Sequence, residues 1–120
     1  MDIECGRLGQ VEEKFVTRII EAIGSLLNYL KMTDEKPLLS EGIAFIEERS
    51  YINSAHTGFF YPLKSSGDYV KKGMKVGYVT DFFSETKEEI YADTNGIILY
   101  LLGTPPVSEG ETLVAIGMIK

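Results

Sequence analysis

The 120-residue chain holds one cysteine, one histidine and no tryptophan, and these shortages exclude much chemistry. Cys5 alone cannot close an intrachain disulfide, and nothing in the first residues resembles a signal peptide, so a reducing cytoplasm is the expected compartment. With His56 as the lone histidine there is no His-Glu-x-x-His or His-x-x-Glu pair, and a catalytic zinc site would need Asp, Glu or Cys for its other ligands. The sequence also lacks a Gly-rich phosphate loop, a Cys-x-x-Cys and a Gly-x-Ser-x-Gly elbow. The longest apolar runs fall well below the roughly 18 residues of a membrane span. A formal charge of −6 without a basic block argues against a nucleic-acid partner, since phosphate binding needs clustered cations. Lys71, Lys72 and Lys75 form the one basic cluster and read as solvated turn lysines that discourage edge pairing.

What is present begins with a helix. Between residues 10 and 32 apolar side chains recur at Val11, Phe15, Ile19, Ile20, Ile23, Leu26, Leu27 and Leu30, spacings of three and four that form one stripe. Glu12 and Glu13 in the first turn and Lys31 in the last suit the helix dipole, and Pro37 cannot continue the ladder. Two readings of the stripe stand side by side: core against a sheet, or a surface for self-association.

The rest reads as β structure, with strands over residues 43–50 and 51–56 and then a near-duplication. Gly58 with Val70-Lys71-Lys72-Gly73 is followed, 37 to 38 residues later, by Gly96 with Val107-Ser108-Glu109-Gly110. Each copy opens on a glycine and an apolar strand (residues 59–63; 97–102), crosses a Pro/Gly/Ser turn, shows Val-x-x-Gly, and closes on Val76 and Val79 or on Leu113 and Ile116. Two copies are too few for a solenoid, which needs about three stacked units. The expected fold is therefore α+β, mostly β: a long amphipathic helix with a pseudo-twofold sandwich or flattened barrel. The boundary is expected between residues 1–36 and 37–120. Phe59, Phe60, Tyr61, Tyr69, Tyr78, Phe82 and Phe83 either line a groove or, by strand alternation, fill the core.

Ahead of the helix, Asp2-Ile3-Glu4-Cys5-Gly6-Arg7-Leu8-Gly9 places a carboxylate, an arginine and glycines in one short segment. An apolar residue, Glu, a small residue and Gly, then a loop and a long helix, resembles the stretch carrying the general-base glutamate in the succinylglutamate desuccinylase/aspartoacylase family of zinc hydrolases. Gly58-Phe59-Phe60-Tyr61-Pro62, Gly67-Asp68-Tyr69-Val70-Lys71-Lys72-Gly73, Val76-Gly77-Tyr78-Val79-Thr80-Asp81 and Glu89-Ile90-Tyr91-Ala92-Asp93-Thr94-Asn95-Gly96 resemble that family's barrel-sandwich-hybrid domain, itself similar to lipoyl and biotinyl modules.

The resemblance implies the C-terminal portion of a deacylase acting on the amide or ester bond of small N-acyl amino acids. Glu4 would be its general base and Arg7 a weaker substrate contact. The family's zinc ligands, a His-x-x-Glu pair and a later His, lie upstream of such a segment, so zinc is expected in a parent protein and neither metal nor activity in this chain alone. Outside that role, Glu4 is a dipole-compensating residue and Arg7 a surface arginine. The β domain would shape the substrate entrance in a parent.

The alternative is a free-standing binding or assembly module. Lys87, in Ser84-Glu85-Thr86-Lys87-Glu88-Glu89-Ile90 between the two copies, is where a swinging arm would attach, but its flanks are neither Met-Lys-Met nor Asp-Lys-Ala, and an ordinary solvated hairpin is expected. His56 reads as a structural histidine and Cys5 as a small packing residue.

Overall fold

The computed structural model describes residues 10–39 and 42–119. The chain divides into two compact units, Met1–Ile43 and Ala44–Lys120.

Within the first unit, α1 runs over Glu13–Tyr29 and none of its residues is buried. Its end differs from the expected one. Met32 N–H bonds to the Leu27 carbonyl at 3.0 Å and Lys31 N–H to Asn28 at 3.1 Å, which is the double closure of a Schellman cap. Lys31 takes the left-handed position at φ 57°. Glycine usually signals such a stop, so with lysine there the sequence reads as though the helix continued. Lys31 thus lies beyond the last turn. Ser25 Oγ then accepts the Leu38 N–H at 2.9 Å and holds the chain that follows.

The second unit has eight strands: β1 Ile46–Asn53, β2 Gly58–Pro62, β3 Tyr69–Val70, β4 Lys75–Thr80, β5 Thr86–Tyr91, β6 Gly96–Leu101, β7 Pro106–Val107 and β8 Thr112–Ile119. All pairings are antiparallel, in two four-stranded sheets ordered β1-β8-β6-β3 and β5-β4-β2-β7. The two strands expected over residues 43–56 are one, β1, kept on an edge by its polar stretch Glu47, Glu48, Arg49, Ser50.

The duplication is a structural one. Exchanging the copies takes β5-β4-β2-β7 onto β1-β8-β6-β3 strand for strand, and each copy's two-residue strand pairs in the other copy's sheet: β3 with β6, β7 with β2. Backbone bonds repeat with it. Phe60 N–H donates to the Pro105 carbonyl at 2.6 Å and Ile98 N–H to that of Asp68 at 2.9 Å. Gly73 N–H reaches Ala92 at 2.7 Å, and Gly110 N–H reaches Ser54 at 2.8 Å. Side chains join in: Asn95 Oδ1 accepts from Lys72 N–H, and Thr57 Oγ1 from Glu109 N–H.

Both sheets contribute to the core, with Phe60, Val76, Val79 and Ile90 from one and Ile98, Val114 and Ile116 from the other. Val70 and Val107, the valines of the two Val-x-x-Gly motifs, close its ends. The central strands β4 and β8 are buried along most of their length because each has neighbours on both edges and a sheet beneath.

Candidate functional site

The β4–β5 hairpin ends in a tip organised by one carboxylate. Asp81 Oδ1 accepts N–H bonds from Phe83 at 2.9 Å and Glu85 at 3.0 Å, while Oδ2 meets Lys87 Nζ at 3.0 Å. The backbone closes underneath: Asp81 N–H donates to Glu85 O at 2.9 Å and Ser84 N–H to Asp81 O at 3.2 Å. Ser84 sits at φ 68°, which completes the reversal. The bond to Lys87, and then those from Phe83 and Glu85, hold the Asp81 carboxyl below its ordinary value. Asp81 and Glu85 in turn raise the Lys87 ammonium.

This rigid turn displays apolar rings. Phe83 is 88% exposed and Phe82 69%, with Phe82 set edge-on to Phe59 at 5.5 Å between centroids. Large apolar side chains held in water on an ordered turn are the uncommon kind of surface, and they mark contact sites more often than scattered leucines do.

On the outer face of the sheet holding β4, Tyr61 and Tyr78 stack at 5.1 Å and Lys75 lies over the Tyr78 ring. Lys75 Nζ bonds Glu89 Oε1 at 2.6 Å, and the Tyr91 hydroxyl donates to the other oxygen of Glu89. Lys75, then Tyr91, depress the Glu89 carboxyl, and Glu89 raises both partners.

At the far end of the unit, Tyr69, Val70, Lys71, Met74, Asn95, Gly96 and Ile119 line an open cavity of about 640 Å³. Its walls are mostly apolar, and Lys71 is the cation on its rim. A smaller hollow of about 160 Å³ lies among Phe45, Glu47, Glu48 and Met118.

Glu4, Arg7 and Cys5 lie outside the described residues. His56 is exposed, with its backbone N–H and carbonyl both engaged by Ser54 Oγ, at 3.3 and 2.7 Å. Lys87 lies in the β4–β5 hairpin, inside β5 and just past the tip, where it bridges Asp81 and Glu85. These acidic partners bind the ammonium down along the hairpin. Of the seven aromatics read as groove lining or core, Phe60 is in the core while Tyr61, Tyr69, Phe82 and Phe83 are exposed. Among the described residues, no group of three or more His, Cys, Asp or Glu is placed to hold a metal ion. No described helix is long and apolar enough to cross a membrane.

No protein-family model matches the sequence, and no curated protein matches it. Solved structures do. A succinylglutamate desuccinylase/aspartoacylase from Rhodobacter sphaeroides superposes with a TM-score of 0.75 at 20% identity, over 93% of this chain and 37% of that one. The ectoine utilization protein EutE (DoeB) from Ruegeria pomeroyi, in its product-bound structure, gives 0.77 at 15% identity, over 92% and 35%. A putative succinylglutamate desuccinylase/aspartoacylase family protein from Shewanella amazonensis SB2B gives 0.74 at 11% identity, over 91% and 32%.

The fold is that of the C-terminal portion of these family proteins. The chain spans about a third of their length. At such identities the likeness establishes architecture, and the aspartoacylase-type relation is one of fold.

Proposed function

We propose that this chain is the C-terminal part of a hydrolase of the succinylglutamate desuccinylase/aspartoacylase type, which cleaves the amide or ester bond of small N-acyl amino acids. The observation that supports this reading is the extent of the fold match: more than nine-tenths of the chain, in three separate comparisons, against about a third of each larger protein.

In that reading Glu4 takes a proton from the attacking water and passes it to the leaving amine, and Arg7 pairs with a substrate carboxylate. Both assignments come from the resemblance of the segment to the family's glutamate motif. Such hydrolases use zinc, and the described residues do not fit a zinc site. The ligands would be supplied from outside this chain. The β unit would narrow the entrance so that only short acyl-amino acids enter.

The test joins this chain to a zinc-binding catalytic portion, encoded in frame upstream or as a partner polypeptide, and assays acyl-amino acid hydrolysis. Glu4→Gln is expected to lower kcat by at least about a hundredfold with KM little changed, as for removal of a general base. Removing residues 44–120 should let longer substrates in. Full activity in the Glu4→Gln protein would overturn the role of Glu4, and unchanged kinetics on long and short substrates that of the β unit.

A further inference from the structure

The β unit has two unlike ends. Strand registers place Gly58, Thr80, Val107 and Asn53 at the end bearing the Asp81 turn, and Val70, Gly96, Ile119 and Ile46 at the end bearing the large cavity. The duplication relates the ends, and so indicates what the cavity is short of. Along the repeat Thr80 corresponds to Gly117, which makes Ile119 the counterpart of Phe82 and Ile97 that of Phe59. At the tip end the Phe82 and Phe59 rings pack edge to face. At the other end two isoleucines occupy the equivalent positions, beside a cavity of about 640 Å³.

We propose that this cavity receives Phe83, with Phe82 against its rim, from a second copy of the chain, so that copies associate head to tail. Charge favours that occupant. The tip carries Asp81 and Glu85 against the one ammonium of Lys87 that bridges them, with Glu88 next along the strand, whereas the cavity rim carries Lys71 with Lys72 beside it. Met74 offers a polarizable thioether to an entering ring. The tip is fixed by its Asp81 bonds before contact, so little freedom is lost when it docks. Because tip and cavity lie at opposite ends, the contact is heterologous and does not close at two copies.

The inference is independent of the deacylase reading, because its readout is mass and not turnover. Sedimentation of the full chain from about 10 μM to about 1 mM, the weak limit for a specific contact, should show a weight-average mass climbing past the dimer. Phe83→Ser and Met74→Glu, both at exposed positions, should each stay monomeric with unchanged melting. An equimolar mixture of the two should give a 1:1 dimer and nothing larger, since one intact tip and one intact cavity remain. Lys71→Glu should weaken association about tenfold or more. A wild-type chain monomeric throughout, association surviving in either of the first two variants, a monomeric mixture, or undiminished association of Lys71→Glu would overturn the proposal.

Discussion

Gly96 passes so close to Gly117 that a β-carbon on Gly96 would stand 2.1 Å from the Gly117 carbonyl oxygen. The other copy repeats the approach, with a Gly58 β-carbon 1.9 Å from the Thr80 oxygen. Both obstacles are backbone atoms of central strands, which cannot turn aside. Gly58→Ala and Gly96→Ala are therefore each expected to cost about 3 kcal/mol or more, the range of severe overpacking. Gly24→Ala, in α1 with nothing within 4 Å of the added carbon, should cost nothing and gain up to about 1 kcal/mol in helix propensity. Urea unfolding of the three variants separates the effects.

Gly73 and Gly110 test the duplication differently, because each stands in open space and in the left-handed region, at φ 83° and 84°. Alanine there meets no neighbour and is strained only by its own backbone, so each substitution should cost about 1–2 kcal/mol. Equal losses are expected in thermal melts. A marked inequality would show that the two turns are not energetically equivalent.

Removing the Asp81 carboxylate deprives the tip of three partners at once. In Asp81→Ala the amide protons of Phe83 and Glu85 should exchange on the order of tenfold faster, while Asp81→Asn, whose amide oxygen still accepts, should keep most protection and lose the Lys87 pair. Hydrogen exchange followed by NMR reads both.

The pH dependence of the tip follows from the same contacts. The Asp81 carboxyl is held low in the folded chain, so its contribution is complete above its ordinary value and lost as pH falls through the lower folded one. The Lys87 ammonium is held high, so its contribution is complete below its ordinary value and lost as pH rises through the folded one. Protection of the Phe83 and Glu85 amides, corrected for intrinsic exchange, should stay level across neutral pH and fall at both extremes. A break near neutrality would mean another group controls the turn.

Exposure divides the aromatics into two energetic classes. Phe60→Ala should cost about 3–5 kcal/mol, as for a phenylalanine lost from a core. Phe83→Ser should change stability by no more than about 0.5 kcal/mol. Comparable losses in chemical denaturation would mean that Phe83 packs in the folded monomer.

The duplication was legible because the glycines that allow close approach and the valines that close the core recur at a fixed interval. The exchange of β3 and β7 was not, since a two-residue strand has no periodicity and its partner lies in the other copy. Strand character over β1 was legible, though its four polar residues divide it into two in the sequence, and the end of α1 hid behind a lysine doing what glycine usually does. Lys87 reads as part of an acidic, solvated hairpin; in three dimensions one flanking carboxylate, Glu85, and the more distant Asp81 are its partners. Glu4 and Arg7 rest on the family resemblance alone. The Phe82–Phe83 tip has a sequence signal, two adjacent phenylalanines where strand alternation breaks, but an apolar pair is more often buried than displayed.

The swap of β3 and β7 has a consequence for ancestry. A half-length chain carrying a single Val-x-x-Gly turn would have nothing to lay its short strand against except a sister molecule, and half its core would be open to water. The ancestor of this unit would then have been a symmetric pair of short polypeptides, with partnership preceding the gene fusion that made it permanent.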